Sequence, residues 1–117
     1  MTTEELKTRT KSFALRTVKL YQSLPKNKDA DVLGYQLLRS GTSVGANYRA
    51  ACRARSQADF ISKITVVEEE ADESAYWIEL LIESSIIKRE SVLDLLKEAN
   101  ELTAIFTASG KTAKQNK

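Results

Sequence analysis

The chain has 117 residues, a length that suits one domain, and its 42% hydrophobic and 29% charged residues exclude a disordered chain. The net charge of +2 is too small to indicate a partner, and the single cysteine excludes an internal disulfide. No apolar run approaches the roughly 20 residues that cross a bilayer, and the polar N-terminus shows no signal peptide. We therefore expect a cytoplasmic protein without a membrane partner.

The first helix is predicted from about Thr3 to Ser23, because Thr2 and Glu5 have the spacing of a capping box. The chain contains one proline and four glycines, and so few helix breakers favour long helices throughout. One face of this helix follows three-four spacing and is predicted to enter the core: Leu6, Thr10, Phe13, Thr17, Leu20 and Leu24.

The second helix is predicted from Ala30 to about Ala54, with Asp29 as its N-cap. Its apolar stripe consists of Leu33, Leu37, Ser40, Val44, Tyr48 and Ala51. Gly41 and Gly45 lie one turn apart beside that stripe, although each glycine costs a helix roughly 1 kcal/mol. This spacing predicts that another backbone approaches closely there, and the alternative is a break or kink near Gly41.

The third helix is predicted from Gln57 to about Glu83, with Ser56 as its N-cap. It carries the clearest apolar repeat of the chain: Phe60, Ile64, Val67, Ala71, Ser74, Ile78 and Leu81. Residues 86–89 are predicted to form a short connection to the last helix.

The fourth helix is predicted from about Ser91 to Ala108, with Gly110 as its stop and residues 111–117 as a flexible polar tail. Its inward face consists of Val92, Leu95, Leu96, Ala99, Leu102 and Phe106. Four amphipathic helices with short connections predict an all-α fold, an antiparallel up-down four-helix bundle over residues 1–110.

Helix two carries a basic ridge on the side away from its core stripe, because an α-helix turns about 100° per residue. The ridge consists of Tyr35, Arg39, Ala46, Arg49 and Arg53. Guanidinium groups bind phosphate or carboxylate in a two-pronged manner, so the ridge is predicted to contact nucleic acid or an acidic partner surface. The candidate nucleic-acid-binding residues are the three arginines of the ridge and Arg55 in the link that follows the helix: Arg39, Arg49, Arg53 and Arg55. The alternative is an ordinary solvated helix face.

Helix three has a second side that the core of a single bundle does not need. The predicted oligomer interface on this side consists of Val66, Glu70, Glu73, Trp77 and Leu80. An exposed apolar patch of this kind often marks an interaction site, and the alternative is that a neighbouring helix covers Trp77. Glu70 and Glu73 are expected to pair with Arg39 or Arg49, in the same chain or in a neighbouring copy.

Charge is unevenly distributed along the chain. Residues 1–63 hold 12 Lys and Arg against 5 Asp and Glu, whereas residues 64–117 hold 6 against 11. The first two helices are therefore basic and the last two acidic. Surfaces of opposite sign are expected to complement each other, within one bundle or between copies.

Metal, cofactor and catalytic sites are not predicted. The carboxylates between Glu68 and Glu73 point around the helix rather than toward one ion, and histidine is absent from the chain. Without histidine there is no general base suited to neutral pH, and Gly41 and Gly45 lack the Lys-Ser/Thr of a phosphate-binding loop. Cys52 is better explained as a small buried thiol than as a nucleophile.

Residues 39–81 resemble a known family. Two matching features come from helix two and its link: the segment 39–47 and the arginine-rich link with Arg53 and Arg55. Two more follow: Ser56 with the Asp-Phe pair at 59–60, and the glutamate-rich turn before Trp77. The stretch strongly resembles the small proteins encoded in intervening sequences of 23S rRNA genes, also called S23 ribosomal proteins. Many relatives have an Asn-Ile-Ala-Glu-Gly-like stretch where this chain has Asn-Tyr-Arg-Ala-Ala at 47–51.

The resemblance implies a bacterial four-helix bundle that assembles as a ring-like homopentamer. A relative that acts with a diversity-generating reverse transcriptase implies binding of nucleic acid and protein. From this we expect a homo-oligomeric module that binds RNA or DNA. The alternative is a protein-interaction scaffold with no nucleic-acid role.

Overall fold

The structure is a computed structural model that describes residues 1–116. This part of the chain forms four helices: α1 Thr3–Ser23, α2 Lys28–Cys52, α3 Gln57–Glu83 and α4 Arg89–Gln115. Each helix packs antiparallel to the one before it, and α1 and α4 are the least extensively packed of the four helix pairs in contact. The bundle measures 48 × 20 × 19 Å. The predicted antiparallel up-down four-helix bundle is confirmed.

Two helices begin where local side chains predict. Thr2 Oγ1 accepts the N–H of Glu5 at 3.1 Å, and the Glu5 carboxylate accepts the N–H of Thr2 at 3.4 Å. Ser56 Oγ accepts the N–H of Asp59 at 3.0 Å. Both caps supply acceptors for N–H groups that lack a partner inside the helix.

The start of α2 differs from the prediction. Asn27, not Asp29, is the N-cap, because Asn27 Oδ1 accepts the N–H of Ala30 at 2.9 Å. Asp29 lies in the first turn of the helix instead. A carboxylate there still meets the positive end of the helix, so its sequence signal resembles that of a cap.

The predicted end of α4 at Ala108 is wrong, because the helix continues through Gly110 to Gln115. Gly110 is buried against α3, and a Cβ on it would lie 3.6 Å from Ile64 Cγ2, an ordinary contact. Packing on α3 thus carries the helix past its glycine. Residues 111–115 of the predicted flexible tail are helical, and residue 117 lies outside the described residues.

Gly41 and Gly45 allow α1 to approach α2 closely, as predicted. A Cβ on Gly41 would lie 2.5 Å from Thr17 Cγ2, and one on Gly45 would lie 3.2 Å from Thr10 Oγ1. The helix α2 is continuous through both glycines, so the alternative of a helix break is wrong. The missing side chains therefore serve close packing.

A buried pair of hydroxyls links α2 to α3. Ser40 Oγ and Ser74 Oγ are 2.9 Å apart and fully buried. The apolar residues predicted for the inner faces are buried in the core, except that Leu20, Leu33 and Phe60 are only partly buried. Arg39, next to Ser40 in the sequence, lies opposite carboxylates that precede Ser74.

No helix within residues 1–116 combines the length and the hydropathy needed to span a membrane.

Candidate functional site

Arg39 is engaged by α3 of the same chain. Its guanidinium donates to Glu70 Oε2 at 3.4 Å and also to Glu73 Oε2. The indole N–H of Trp77 donates to the same Glu73 oxygen at 2.9 Å. The predicted pairing of Arg39 with these glutamates therefore forms within one chain, and it occupies the guanidinium.

Arg49, Arg53 and Arg55 are exposed at the end of the bundle where α2 turns into α3. Among the described residues, none of the three guanidinium groups has a carboxylate oxygen within 4.0 Å. Arg53 follows Arg39 by 14 residues, about 21 Å along a helix axis. The structure thus separates the four candidate arginines into one paired residue and three unpaired ones.

A groove between α1 and α2 brings lysines beside Arg49. Lys7, Lys11 and Arg49 line it together with Gly45, and its volume is about 440 Å³. Lys7 Nζ lies 3.6 Å from Glu4 Oε1, an exposed pair of the kind that contributes little stability. The close approach of the two helices at Gly45 places both lysines next to the arginine.

A second hollow lies on the other side of α2. Arg53, Arg55, Asp59 and Lys63 line it with Ala50. Lys63 Nζ donates to Asp59 Oδ1 at 2.6 Å. This hydrogen bond, with another from the backbone N–H of Arg55, lowers the pKa of Asp59. Asp59 therefore stays ionised and neutralises part of the positive charge.

The last turns of α4 reach the same end and add Lys111 and Lys114, both exposed. We call the whole cluster the basic end: Lys7, Lys11, Arg49, Arg53, Arg55, Lys63, Lys111 and Lys114. Sequence reasoning missed the five lysines because it examined one helix at a time. The up-down order was the available signal, since it places the start of α1 and the end of α4 beside the α2–α3 turn.

Charge is separated along the length of the molecule. Residues 1–12, 45–69 and 106–116, which form the half with the basic end, hold 9 Lys and Arg against 5 Asp and Glu. The remaining described residues hold 8 against 11. One half is therefore net positive and the other net negative.

The predicted interface residues lie along the outer side of α3, next to Arg39. Val66 is 40% exposed, whereas Trp77 and Leu80 are half-buried. Trp77 packs against the core with part of its ring, so the expectation of an uncovered tryptophan holds only in part. Glu70 and Glu73 are half-buried and ion-paired.

Three further exposed side chains beside the predicted interface, one on α3 and two on α2, were missed as interface candidates. Tyr76 is 52% exposed and packs edge-on against Trp77, with ring centroids 5.1 Å apart. Val32 and Tyr35 on α2 are 49% and 56% exposed, and both share a face with Arg39 at spacings of seven and four. We call this surface the α2–α3 face: Val32, Tyr35, Arg39, Val66, Glu73, Tyr76, Trp77 and Leu80.

The glutamate run spreads around α3 as predicted. Glu68 Oε2 accepts a hydrogen bond from Thr107 of α4 at 2.6 Å, whereas Glu70 and Glu73 face Arg39 of α2. In the part of the chain that the structure describes, no three acidic, cysteine or histidine side chains converge well enough to hold a metal ion.

A family model described as 23S rRNA-intervening sequence protein matches residues 4–108. The chain belongs to this family. A solved structure from Bacteroides thetaiotaomicron VPI-5482, a protein with unknown function from the S23 ribosomal protein family, has the same fold with a TM-score of 0.87. It is 39% identical, and the match covers 95% of this chain and 99% of that chain. No curated protein matches the chain.

The resemblance predicted from residues 39–81 is therefore confirmed and extends over all four helices. The part that matches the 23S rRNA-intervening sequence protein family includes Arg49, Arg53 and Arg55 as well as the α2–α3 face. Lys111 and Lys114 lie beyond the matched residues. These two lysines of the basic end therefore lie outside the range that the family model matches.

Proposed function

We propose that this 23S rRNA-intervening sequence protein is a small homo-oligomeric protein that binds RNA through the basic end of each bundle. The observation that carries the proposal is the gathering of Arg49, Arg53 and Arg55 with lysines from all the other helices. Because no carboxylate of the described residues pairs with these arginines, they are available to phosphate oxygens. Arg39 is left out of the proposed contacts because Glu70 and Glu73 already hold it.

The physical basis of binding is the release of counterions. Each phosphate that a cation neutralises releases condensed counterions, so the affinity falls steeply as salt rises. Arginine adds two-pronged hydrogen bonds to phosphate. The basic end supplies such contacts without any requirement for base sequence.

We also propose that copies associate through the α2–α3 face. Its exposed tyrosines and valines provide apolar area, and the Arg39 ion pairs neutralise the charges that association would bury. The pentamer implied by family resemblance stays a prediction. In a ring of copies with parallel axes, all basic ends would lie on the same side.

RNA binding is tested by fluorescence anisotropy with labelled RNA and DNA, at salt concentrations from about 50 to 200 mM. We expect affinity to fall steeply over this range. Arg49→Glu should weaken binding by about tenfold, because it replaces an attractive contact with a repulsive one. The matched control is Arg89→Glu, an exposed arginine at the opposite end, which should leave the affinity nearly unchanged. Binding that is absent at low salt, or insensitive to salt, contradicts the proposal.

Association is tested by light scattering at several protein concentrations. We expect a mass several times that of one chain, and five times for the pentamer. Tyr76→Asp should lower this mass because it places a charge in the proposed interface. Leu15→Asp is the control, since Leu15 is 59% exposed on α1, away from the α2–α3 face. A single-chain mass at every concentration removes the oligomer from the proposal.

The second candidate function is a protein-interaction scaffold without a nucleic-acid role. The exposure of Val32, Tyr35 and Tyr76 on the α2–α3 face favours it. In this case a specific protein would be captured equally with and without nuclease treatment, and Tyr35→Ala would weaken the capture. Loss of capture after nuclease treatment would favour RNA binding instead.

A further inference from the structure

The cations of the basic end are spread around one end of the bundle rather than aligned along one helix. They come from α1, α2, the α2–α3 link, α3 and α4, and the bundle is 20 × 19 Å in cross-section. Six of them are exposed and have no carboxylate within 4.0 Å among residues 1–116: Lys11, Arg49, Arg53, Arg55, Lys111 and Lys114. A duplex that docked against this end of the bundle would present the phosphates of both strands to cations from different helices.

The exposed aromatic side chains lie away from this patch. Tyr35 precedes Arg53 by 18 residues, about 27 Å along the axis of α2. Tyr76 follows Lys63 by 13 residues, about 20 Å along α3. Both tyrosines are more than half exposed, but they are too far from the cations to stack on bases whose phosphates the basic end holds.

The aromatic rings near the basic end are committed to the core. Tyr48 and Phe106 pack on each other with centroids 5.3 Å apart, and they are 5% and 0% exposed. Phe60 is half-buried and packs against the same core. Proteins that bind single strands combine cations with exposed aromatic platforms, each worth about 1–3 kcal/mol per stacked base. The basic end offers cations alone.

The cations are spread over several elements, and the exposed aromatic rings lie far from them. We therefore infer that the ligand of the basic end is double-stranded RNA, held by the phosphates of both strands. The inference rests on the proposed function and specifies its substrate class. A double helix keeps its bases stacked internally and presents phosphates and 2′-hydroxyls on its surface. It therefore requires no aromatic platform from the protein. A single strand would bind only through its less dense row of phosphates.

The difference between the two ligands grows as salt falls. With six phosphate contacts, the slope of log affinity against log salt is about −5.4 for a duplex and about −4.2 for a single strand. A tenfold drop in salt should therefore raise the preference for the duplex about fifteenfold. The duplex is therefore expected to bind more tightly than the single strand at the lowest salt concentration, with a ratio that shrinks as salt is added.

The test compares one fluorescein-labelled RNA duplex with one of its strands alone, in a sequence that cannot pair with itself. Tighter binding of the duplex, weakened by Arg49→Gln with Arg53→Gln and unchanged by Tyr35→Ala, supports the inference. These substitutions lie on exposed positions, and circular dichroism checks that the variants are folded. Equal or tighter binding of the single strand overturns the inference and leaves the proposed function standing. If neither RNA binds at low salt, the proposed function itself is wrong.

Discussion

Gly41 lies where α1 packs closely against α2. A Cβ there would lie 2.5 Å from Thr17 Cγ2 and 2.9 Å from Thr17 Oγ1. Thr17 is fully buried and its hydroxyl donates to the Ala14 carbonyl at 2.7 Å, so it cannot turn away without losing that bond. We expect Gly41→Ala to lower the free energy of unfolding by about 1–3 kcal/mol, despite the better helix propensity of alanine. Urea denaturation measures the change.

Gly110 provides the matched control, because it also lies inside a helix but has room for a side chain. Its added Cβ would meet only Ile64 Cγ2 at 3.6 Å. Gly110→Ala should therefore leave the free energy of unfolding unchanged or raise it by up to about 1 kcal/mol. If both substitutions destabilise the protein equally, helix packing at Gly41 is not the reason.

Tyr48 makes the free energy of unfolding depend on pH in the alkaline range. Its burial, with the Cys52 thiol beside it, raises the pKa of Tyr48 to about 12 from an ordinary value of 10.0. The unfolded chain therefore loses this proton first, and the stabilisation present below pH 10 is lost as pH rises toward about 12. Tyr48→Phe should reduce this loss by about 1–2 kcal/mol, measured by denaturation across that interval. An identical pH profile in the variant would contradict the assignment.

At the scale of the helices, Arg9 links α1 to α4 through hydrogen-bonded ion pairs. Arg9 Nε donates to Glu98 Oε2 at 2.6 Å, and one of its terminal nitrogens reaches Glu98 Oε1 at 2.7 Å and Glu101 Oε1 at 2.8 Å. The hydrogen bonds to Glu98 are the main reason that the pKa of Arg9 is raised. The α1–α4 pair is the least extensively packed of the helix pairs in contact. The ion pairs of Arg9 should therefore contribute more to the stability of this contact than an ordinary surface pair would.

Arg9→Lys keeps the charge but loses the two-pronged geometry. We expect it to lower the free energy of unfolding by about 1 kcal/mol. Arg16→Lys, on the same helix, is the control, since Arg16 has no carboxylate within 4.0 Å among the described residues. Thermal denaturation of the two variants checks the difference, and equal melting temperatures would show that the ion pairs of Arg9 contribute nothing measurable.

The boundaries of the helices could be predicted where the signal is local. The caps at Thr2 and Ser56 depend on residues three positions apart, so the sequence contains all that determines them. The end of α4 could not be predicted in this way, because Gly110 is a stop signal locally and a packing residue against Ile64 in the bundle. Only the partner helix decides between the two.

At the scale of the whole molecule, helical periodicity placed the arginines on the outer side of α2 but did not show their partners. The pairing of Arg39 with α3 depends on the register in which α2 packs against α3, in which Ser40 also meets Ser74. The joining of Lys7 and Lys111 to the same end depends on the order of all four helices. The chemistry of the candidate site was thus readable from the sequence, whereas its extent required the fold.

Removal of residues 111–117 tests how far the basic end extends onto α4. The buried side chains all lie at or before Gly110, so we expect the shortened chain to fold with little change in melting temperature. Its affinity for duplex RNA should fall, with a salt slope smaller by about 2 to 3, because the removal deletes Lys117 as well as Lys111 and Lys114. The full-length variant Lys111→Gln with Lys114→Gln should also bind more weakly, with a slope smaller by about 2. An unchanged slope in both would place these lysines outside the contact.

The unequal charge of the two halves gives the molecule a permanent dipole moment along its length. In the field of a polyanion, such a body experiences a torque before it makes contact, so it would arrive with its arginines leading. The same torque would keep the glutamate-rich half pointing outward into solvent. Productive encounters would then be more frequent than random tumbling allows, and added salt would erase this advantage along with the attraction.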